Sequence, residues 1–338
     1  MQFLKFKSLL PAAALAVLCS CSTFDEEKIT LDGERISVLD GETALQPDYA
    51  PGQVKIVLPA PTNTAWSQNG GNAAHMMGHL SSDSKLKELW ESGFGEGSSK
   101  RDFLIAAPVS AHKAVFTIDA DGIVNAFRLD DGRKIWKRRL KPLIKDDIST
   151  SLKGAGLAVF DKKVYATTGF GAVFALDMVT GKKLWRYDTE LPIRIAPTAE
   201  RGVVFIQTID NKLIALNGVD GSVLWDYKSP SEETTLVGGA SPAYSPQQDT
   251  IVAAFSNGEL RAFKASTGSP LWSDILVSRK RTNSPANINA IKANPVIDGS
   301  TVYAVGNSRA NGISLTSGVL SVDSEYITMN DPRGNSTT

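Results

Sequence analysis

Val164-Tyr165-Ala166-Thr167-Thr168-Gly169-Phe170-Gly171-Ala172-Val173-Phe174-Ala175-Leu176-Asp177-Met178-Val179-Thr180-Gly181-Lys182-Lys183-Leu184-Trp185 decides the fold, because the chain repeats it. Val115 to Gly132, Val204 to Gly221 and Ile251 to Gly268 align with Val164 to Gly181 without a gap. Each closing glycine (Gly132, Gly181, Gly221, Gly268) precedes a tryptophan by four positions: Trp136, Trp185, Trp225 and Trp272. Pro108, Leu157, Pro197 and Pro242 stand a little upstream of the four units. Within a unit, an alternating apolar run such as Val115-Phe116-Thr117-Ile118 reads as a strand. The pairs Asp121-Gly122, Phe170-Gly171, Asp210-Asn211 and Asn257-Gly258 follow it as tight turns. The next strand carries a small residue, Ala126, Ala175, Ala215 or Ala262, then a large apolar one.

With a leading strand near the proline and a last strand bearing the tryptophan, one repeat makes four short antiparallel strands. Such a sheet leaves both faces wet alone and buries them only against its neighbours, so a period of this length predicts an all-β propeller of four-stranded blades. The length accommodates about five to six blades. The repeated tryptophans, glycines and alanines are assigned to stability, since an indole buries on the order of 200 Å². A fifth unit begins with Pro295 and Val302-Tyr303-Ala304-Val305, reaches Gly318 one residue early and has Val322 where tryptophan belongs. The last blade is therefore expected to be degenerate.

Lys plus Arg equals Asp plus Glu, 36 each, so no global field favours nucleic acid. Both cysteines, Cys19 and Cys21, lie at the start, which removes any cysteine-based zinc, redox or disulfide site from the body. Lys5 and Lys7 followed by Leu9 to Leu18 read as a secretory signal, too short to span a bilayer. Residues 1–20 are expected to be this signal, 21–60 a polar, proline-bearing tether, and 61–338 the propeller. Leu18-Cys19-Ser20-Cys21 resembles the lipobox of bacterial lipoproteins, with Cys21 as the lipid-attachment residue because Ser20 before it is small. The alternative is an ordinary cleaved signal. Ser22 after the cysteine implies the periplasmic face of the outer membrane under the sorting rule of that class.

The pattern A-x-D-x-x-T-G-x-x-x-W, clearest in Ala175 to Trp185, resembles the quinoprotein-type propeller repeat. Together with the lipobox and Trp66-Ser67-Gln68-Asn69-Gly70-Gly71, the chain is similar to BamB-like lipoproteins of the outer-membrane β-barrel assembly machinery. That resemblance implies an eight-bladed ring, against which this chain reads as a shortened member. It implies a non-enzymatic scaffold without a cofactor, at the outer membrane. The implied partners are the periplasmic POTRA modules of BamA, the other lipoproteins of the machinery, and unfolded barrel proteins that pair with exposed strand edges. Contact with BamA falls on an apolar-x-apolar-Arg stretch before an Ala-Pro, here Leu191, Ile193 and Arg194 before Ala196-Pro197, with Leu191 and Ile193 as apolar contacts. A pair of acids in a neighbouring loop has no counterpart in Leu236 to Ser241, although Glu232 and Glu233 stand slightly earlier.

Repeats of this kind also serve quinoprotein alcohol dehydrogenases, which hold their quinone against a disulfide of adjacent cysteines and a calcium ion. No cysteine follows Cys21 to supply that disulfide. His75 and His79 have a spacing that places two ring nitrogens on one helical face. Gly78 weakens such a helix and no third ligand is evident, so a packed or solvated segment is expected. His112 has no serine or cysteine partner, and Asp119-x-Asp121-Gly122 reads as a hairpin turn, not a calcium loop. No metal site is expected.

Overall fold

The computed structural model describes residues 58–62, 65–83, 85–100, 103–143, 154–231, 238–276, 290–306, 310–315 and 320–322. All of them belong to one compact unit formed by Pro47–Asp331 with Ser336–Thr338. The signal, Cys21 and most of the tether fall outside the described residues.

The repeat folds as it predicts. Sheet one comprises β1 (Val109–Ala111), β2 (Ala114–Ile118), β3 (Ile123–Arg128) and β4 (Lys134–Arg139). Sheet two comprises β5 (Gly156–Phe160), β6 (Lys163–Thr167), β7 (Ala172–Asp177) and β8 (Lys183–Asp188). Sheet three comprises β9 (Thr198–Glu200), β10 (Val203–Gln207), β11 (Lys212–Asn217) and β12 (Val223–Lys228). Sheet four comprises β13 (Ala243–Ser245), β14 (Thr250–Ala254), β15 (Glu259–Lys264) and β16 (Pro270–Ile275). Sheet five comprises β17 (Val296–Asp298), β18 (Thr301–Val305), β19 (Ala310–Ser314) and β20 (Leu320–Val322). Each sheet is antiparallel in simple up-and-down order, and the first strands of successive sheets adjoin, so these are blades of a β-propeller. The fifth sheet, expected to be degenerate, pairs all four of its strands.

Four apolar clusters fill the four interfaces between successive blades. The repeated residues explain how. Ala126, Ala175, Ala215 and Ala262 each pair directly with the tryptophan of the outer strand. In the first three blades an aromatic on the other side of the alanine, Phe116, Tyr165 or Phe205, lies 5.9 Å from the tryptophan ring. The small middle residue lets two large ones meet across it. In blade five the same register pairs Gly312 with Val322.

After each alanine the register slips by one, leaving Ile135, Leu184, Leu224 or Leu271 without a partner opposite. This β-bulge increases the local twist of the outer strand. The indole then reaches the next blade: Trp136 donates to the Met178 carbonyl (2.9 Å), Trp185 to Gly218 (3.2 Å), Trp225 to Ala265 (2.7 Å) and Trp272 to Leu315 (2.7 Å). The rings of Trp136, Trp185 and Trp225 cover Gly181, Gly221 and Gly268 of that next blade. A Cβ on Gly181 would stand 2.6 Å from Trp136, and one on Gly221 2.7 Å from Trp185.

Trp90 does for blade one what the others do for their successors. It donates to the Leu129 carbonyl (2.8 Å) and covers Gly132. Lys87-Glu88-Leu89-Trp90 carries the same signature as Lys182-Lys183-Leu184-Trp185, a match that self-comparison of the sequence could have revealed.

Candidate functional site

Residues 66–75 run along the inner strands of all five blades. The Trp66 carbonyl accepts the Ser110 N–H (2.6 Å), and the Ser67 carbonyl accepts the Val159 N–H (2.7 Å). Gln68 uses its side chain for blade three: its oxygen accepts the Ala199 N–H (2.9 Å) and its amide donates to the Ala199 carbonyl (3.3 Å). The Ala73 and Ala74 carbonyls accept the Tyr244 (2.7 Å) and Ile297 (2.9 Å) N–H groups. The five donors occupy one equivalent position, each paired with the first residue of its repeat. Buried N–H groups need acceptors, and one strap supplies all five.

His75 closes the strap. Its Nδ1 is 2.7 Å from the Pro295 carbonyl, so Nδ1 carries the hydrogen and Nε2, buried without a partner, does not. Burial lowers its pKa below the ordinary 6.5, against a smaller raising effect of the Pro295 hydrogen bond. His79 instead bonds the Pro59 carbonyl (2.7 Å), and no helix joins the two. His112 lies in the turn between β1 and β2 with a positive φ. Asp119 is fully buried, and its carboxylate accepts the N–H groups of Asp121 (3.0 Å), Ile123 (2.7 Å) and Glu96 (3.3 Å), as a structural turn does. Among the described residues no three His, Cys, Asp or Glu side chains gather to hold a metal.

The loop from β8 to β9 holds the stretch expected at a partner contact. Leu191 is 38% exposed. Ile193 requires a correction: the resemblance implies an apolar contact, yet its side chain is fully buried in the cluster between blades two and three. Its backbone is fixed by a bridge to Thr208, and Ile209 N–H donates to the Pro192 carbonyl (3.0 Å). Ile193 thus anchors the loop from within. Arg194 is half-buried and has no acidic partner among the described residues.

Arg194 borders an open cleft of about 480 Å³ shared by the entries to blades three, four and five, with Gln207, Asn211, Gly239, Ser256 and Lys292 on its walls. Gln207 donates to the Ala254 carbonyl (3.1 Å) while its own oxygen stays buried and unpaired, as does the Ser256 hydroxyl. The cleft therefore combines a guanidinium and a few polar groups with apolar walls that include Ile195, Ile209 and Ile291. Glu232 and Glu233 lie outside the described residues, as do Leu236 and Val237. Sequence alone did not indicate Gln207 or Ser256, because they meet only when neighbouring blades pack.

The residues present do not fit a quinone site: adjacent cysteines are missing from the body, and the strap takes the inner-strand donors. Among the described residues no helix is long and apolar enough to cross a membrane.

Residues 120–327 match the family model described as outer membrane protein assembly factor BamB. The protein of that name from Moranella endobia (strain PCIT) is 24% identical over 241 residues, covering 70% of this chain and 61% of its relative. This chain thus spans about three fifths of that relative's length. The crystal structure of BamB from Moraxella catarrhalis superposes with a TM-score of 0.55 at 18% identity, covering 68% of this chain and 66% of that one. Quinohemoprotein alcohol dehydrogenase ADHIIG from Pseudomonas putida HK5 gives a TM-score of 0.59 at 17% identity, with 78% and 50% coverage. At these identities the solved structures share the fold alone. The five tryptophan-linked blades and the family match over most of the blade region lead to one assignment: the chain belongs to the BamB family of outer membrane protein assembly factors.

Proposed function

We propose that this protein is a non-enzymatic scaffold of the outer-membrane β-barrel assembly machinery, held at the periplasmic face of the outer membrane by a lipid on Cys21. It binds the POTRA modules of BamA through Leu191 and Arg194, with Ile193 holding the loop in place, and works beside the other lipoproteins of the machinery. The observation that carries this reading is Arg194 at the border of a cleft of mixed polar and apolar lining, without an acidic partner among the described residues. A partner carboxylate is the group that such a guanidinium binds, through two parallel hydrogen bonds. Leu191 adds half-exposed apolar surface beside it. Anchoring and rim contact together raise the local concentration of one component at another, which is all that a scaffold requires.

Arg194→Glu tests the proposal. It is expected to weaken co-purification with the assembly core by about 30-fold or more, the effect of losing a buried contact worth ~2 kcal/mol. The circular dichroism melt should not move, since Arg194 supports no described ion pair. Unchanged co-purification would remove the assignment of this loop.

A further inference from the structure

The chain has no net charge, yet its charges are not evenly distributed. No acidic residue occurs between Asp131 and Asp146, and the outer strand of blade one in that interval reads Lys134-Ile135-Trp136-Lys137-Arg138-Arg139. Every one of these side chains except Trp136 is exposed. The outer strand of blade two begins beside it with exposed Lys182 and Lys183. Two hydrogen bonds fix the adjacency: Arg138 Nε donates to the Gly181 carbonyl (2.7 Å), and Arg186 donates to the Lys141 carbonyl (2.8 Å).

Most nearby acids are already engaged. Asp130 and Asp131 pair with Arg128, Asp121 with Arg139, Asp161 with Lys163 and Asp188 with Arg186. Lys137, Lys141, Lys182 and Lys183 have no acidic partner among the described residues. The outer strand of blade one carries no acid and that of blade two only Asp188, which Arg186 holds, whereas those of blades three and four carry Asp226 and Asp274. The basic strip is thus local to one side of the blade series.

Within the strip stand the bulge residues Ile135 and Leu184, 46% and 47% exposed. The strip lies along outer strands, where single ammonium groups on flexible stems stand beside the exposed aliphatic side chains of Ile135 and Leu184. Such a surface matches a sheet of phosphate charges over a shallow apolar layer. An acidic protein partner would favour a groove with forked arginines, and here Arg138 and Arg139 are already bonded within the molecule.

We propose that the outer strands of blades one and two form a docking surface for an anionic phospholipid bilayer, with Lys137, Lys141, Lys182 and Lys183 facing the headgroups and Ile135 and Leu184 entering the interface. This surface acts independently of the Arg194 contact. It orients the molecule on a membrane, with blades one and two turned toward the lipid.

The test is vesicle co-sedimentation of the mature chain, residues 21–338 carrying Cys21→Ser, so that neither the apolar signal nor an acyl chain contributes. Binding is expected to vesicles of one part phosphatidylglycerol to three parts phosphatidylethanolamine, and to be lost on phosphatidylcholine alone and in 0.5 M salt. Lys137→Gln with Lys183→Gln should reduce binding about 25-fold, at about fivefold per lysine near an anionic surface. Lys264→Gln, one charge removed at the end of β15 in blade four, should leave it unaltered, against about fivefold for either strip lysine removed alone. No binding to the anionic vesicles would overturn the proposal. So would a loss of about fivefold in the Lys264 variant, which would show net charge at work and not the strip. Displacement from the vesicles by polyglutamate at equal charge concentration would assign the strip to an acidic protein instead, and overturn the lipid assignment.

Discussion

His75 combines a positive φ of 57°, burial, and a ring nitrogen without a partner. Its folded pKa lies below 6.5, so the neutral ring is the form that fits. The unfolded chain therefore binds the extra proton more readily as acidity rises. Stability is full above about pH 6.5 and falls as pH drops from there through the folded value. Asn accepts a positive φ and donates to the Pro295 carbonyl, so His75→Asn is expected to flatten the thermal midpoint between pH 7.5 and 5, with the parent protein declining over that window. Gln68 is a second sensitive residue, because its amide serves both polar groups of Ala199. Gln68→Leu leaves two buried backbone groups unpaired and is expected to cost about 3 kcal/mol in urea unfolding. Neither role was legible in the sequence. The Trp66 to Gly71 run carried a family resemblance, but the partners of Gln68 stand 131 residues away.

At the scale of a blade the sequence was far more informative. Alternation and turn chemistry located the strands, because both are set by neighbours along the chain. The residues from Val173 to Trp185 even name the turn: Asp177 accepts the N–H and hydroxyl of Thr180, both at 2.7 Å. The register slip after each alanine and the reach of each indole into the following blade depend on pairing across strands, which spacing does not encode. Ile193 shows the same limit at the candidate site, since its residue type suited a surface contact and only packing revealed its burial. Gly221→Ala should therefore act between blades. Its new methyl meets Trp185 at a φ of 79°, so about 2 kcal/mol of destabilisation is expected by chemical denaturation, with Trp185 fluorescence moving to longer wavelength. An unchanged emission maximum would show that the indole does not rest on this glycine.

At the scale of the molecule, five similar sheets joined by similar contacts resemble a repeat array, in which each unit is stabilised mainly by its neighbours. The strap alters that expectation by touching every unit at once. Amide exchange of Ser110, Val159, Ala199, Tyr244 and Ile297 is expected to accelerate together in Gln68→Leu, whereas a simple array would show the change near Ala199 only.

The strap also sets an order of events. Its residues are synthesised before any strand that receives them, and its last acceptor, on Ala74, waits for the N–H of Ile297. A nascent chain thus carries an unclosed zip whose teeth appear one by one, and the fastening is finished only when the first strand of the fifth sheet has emerged. Until then the early blades are held by their indoles, their apolar seams and the strap bonds already made.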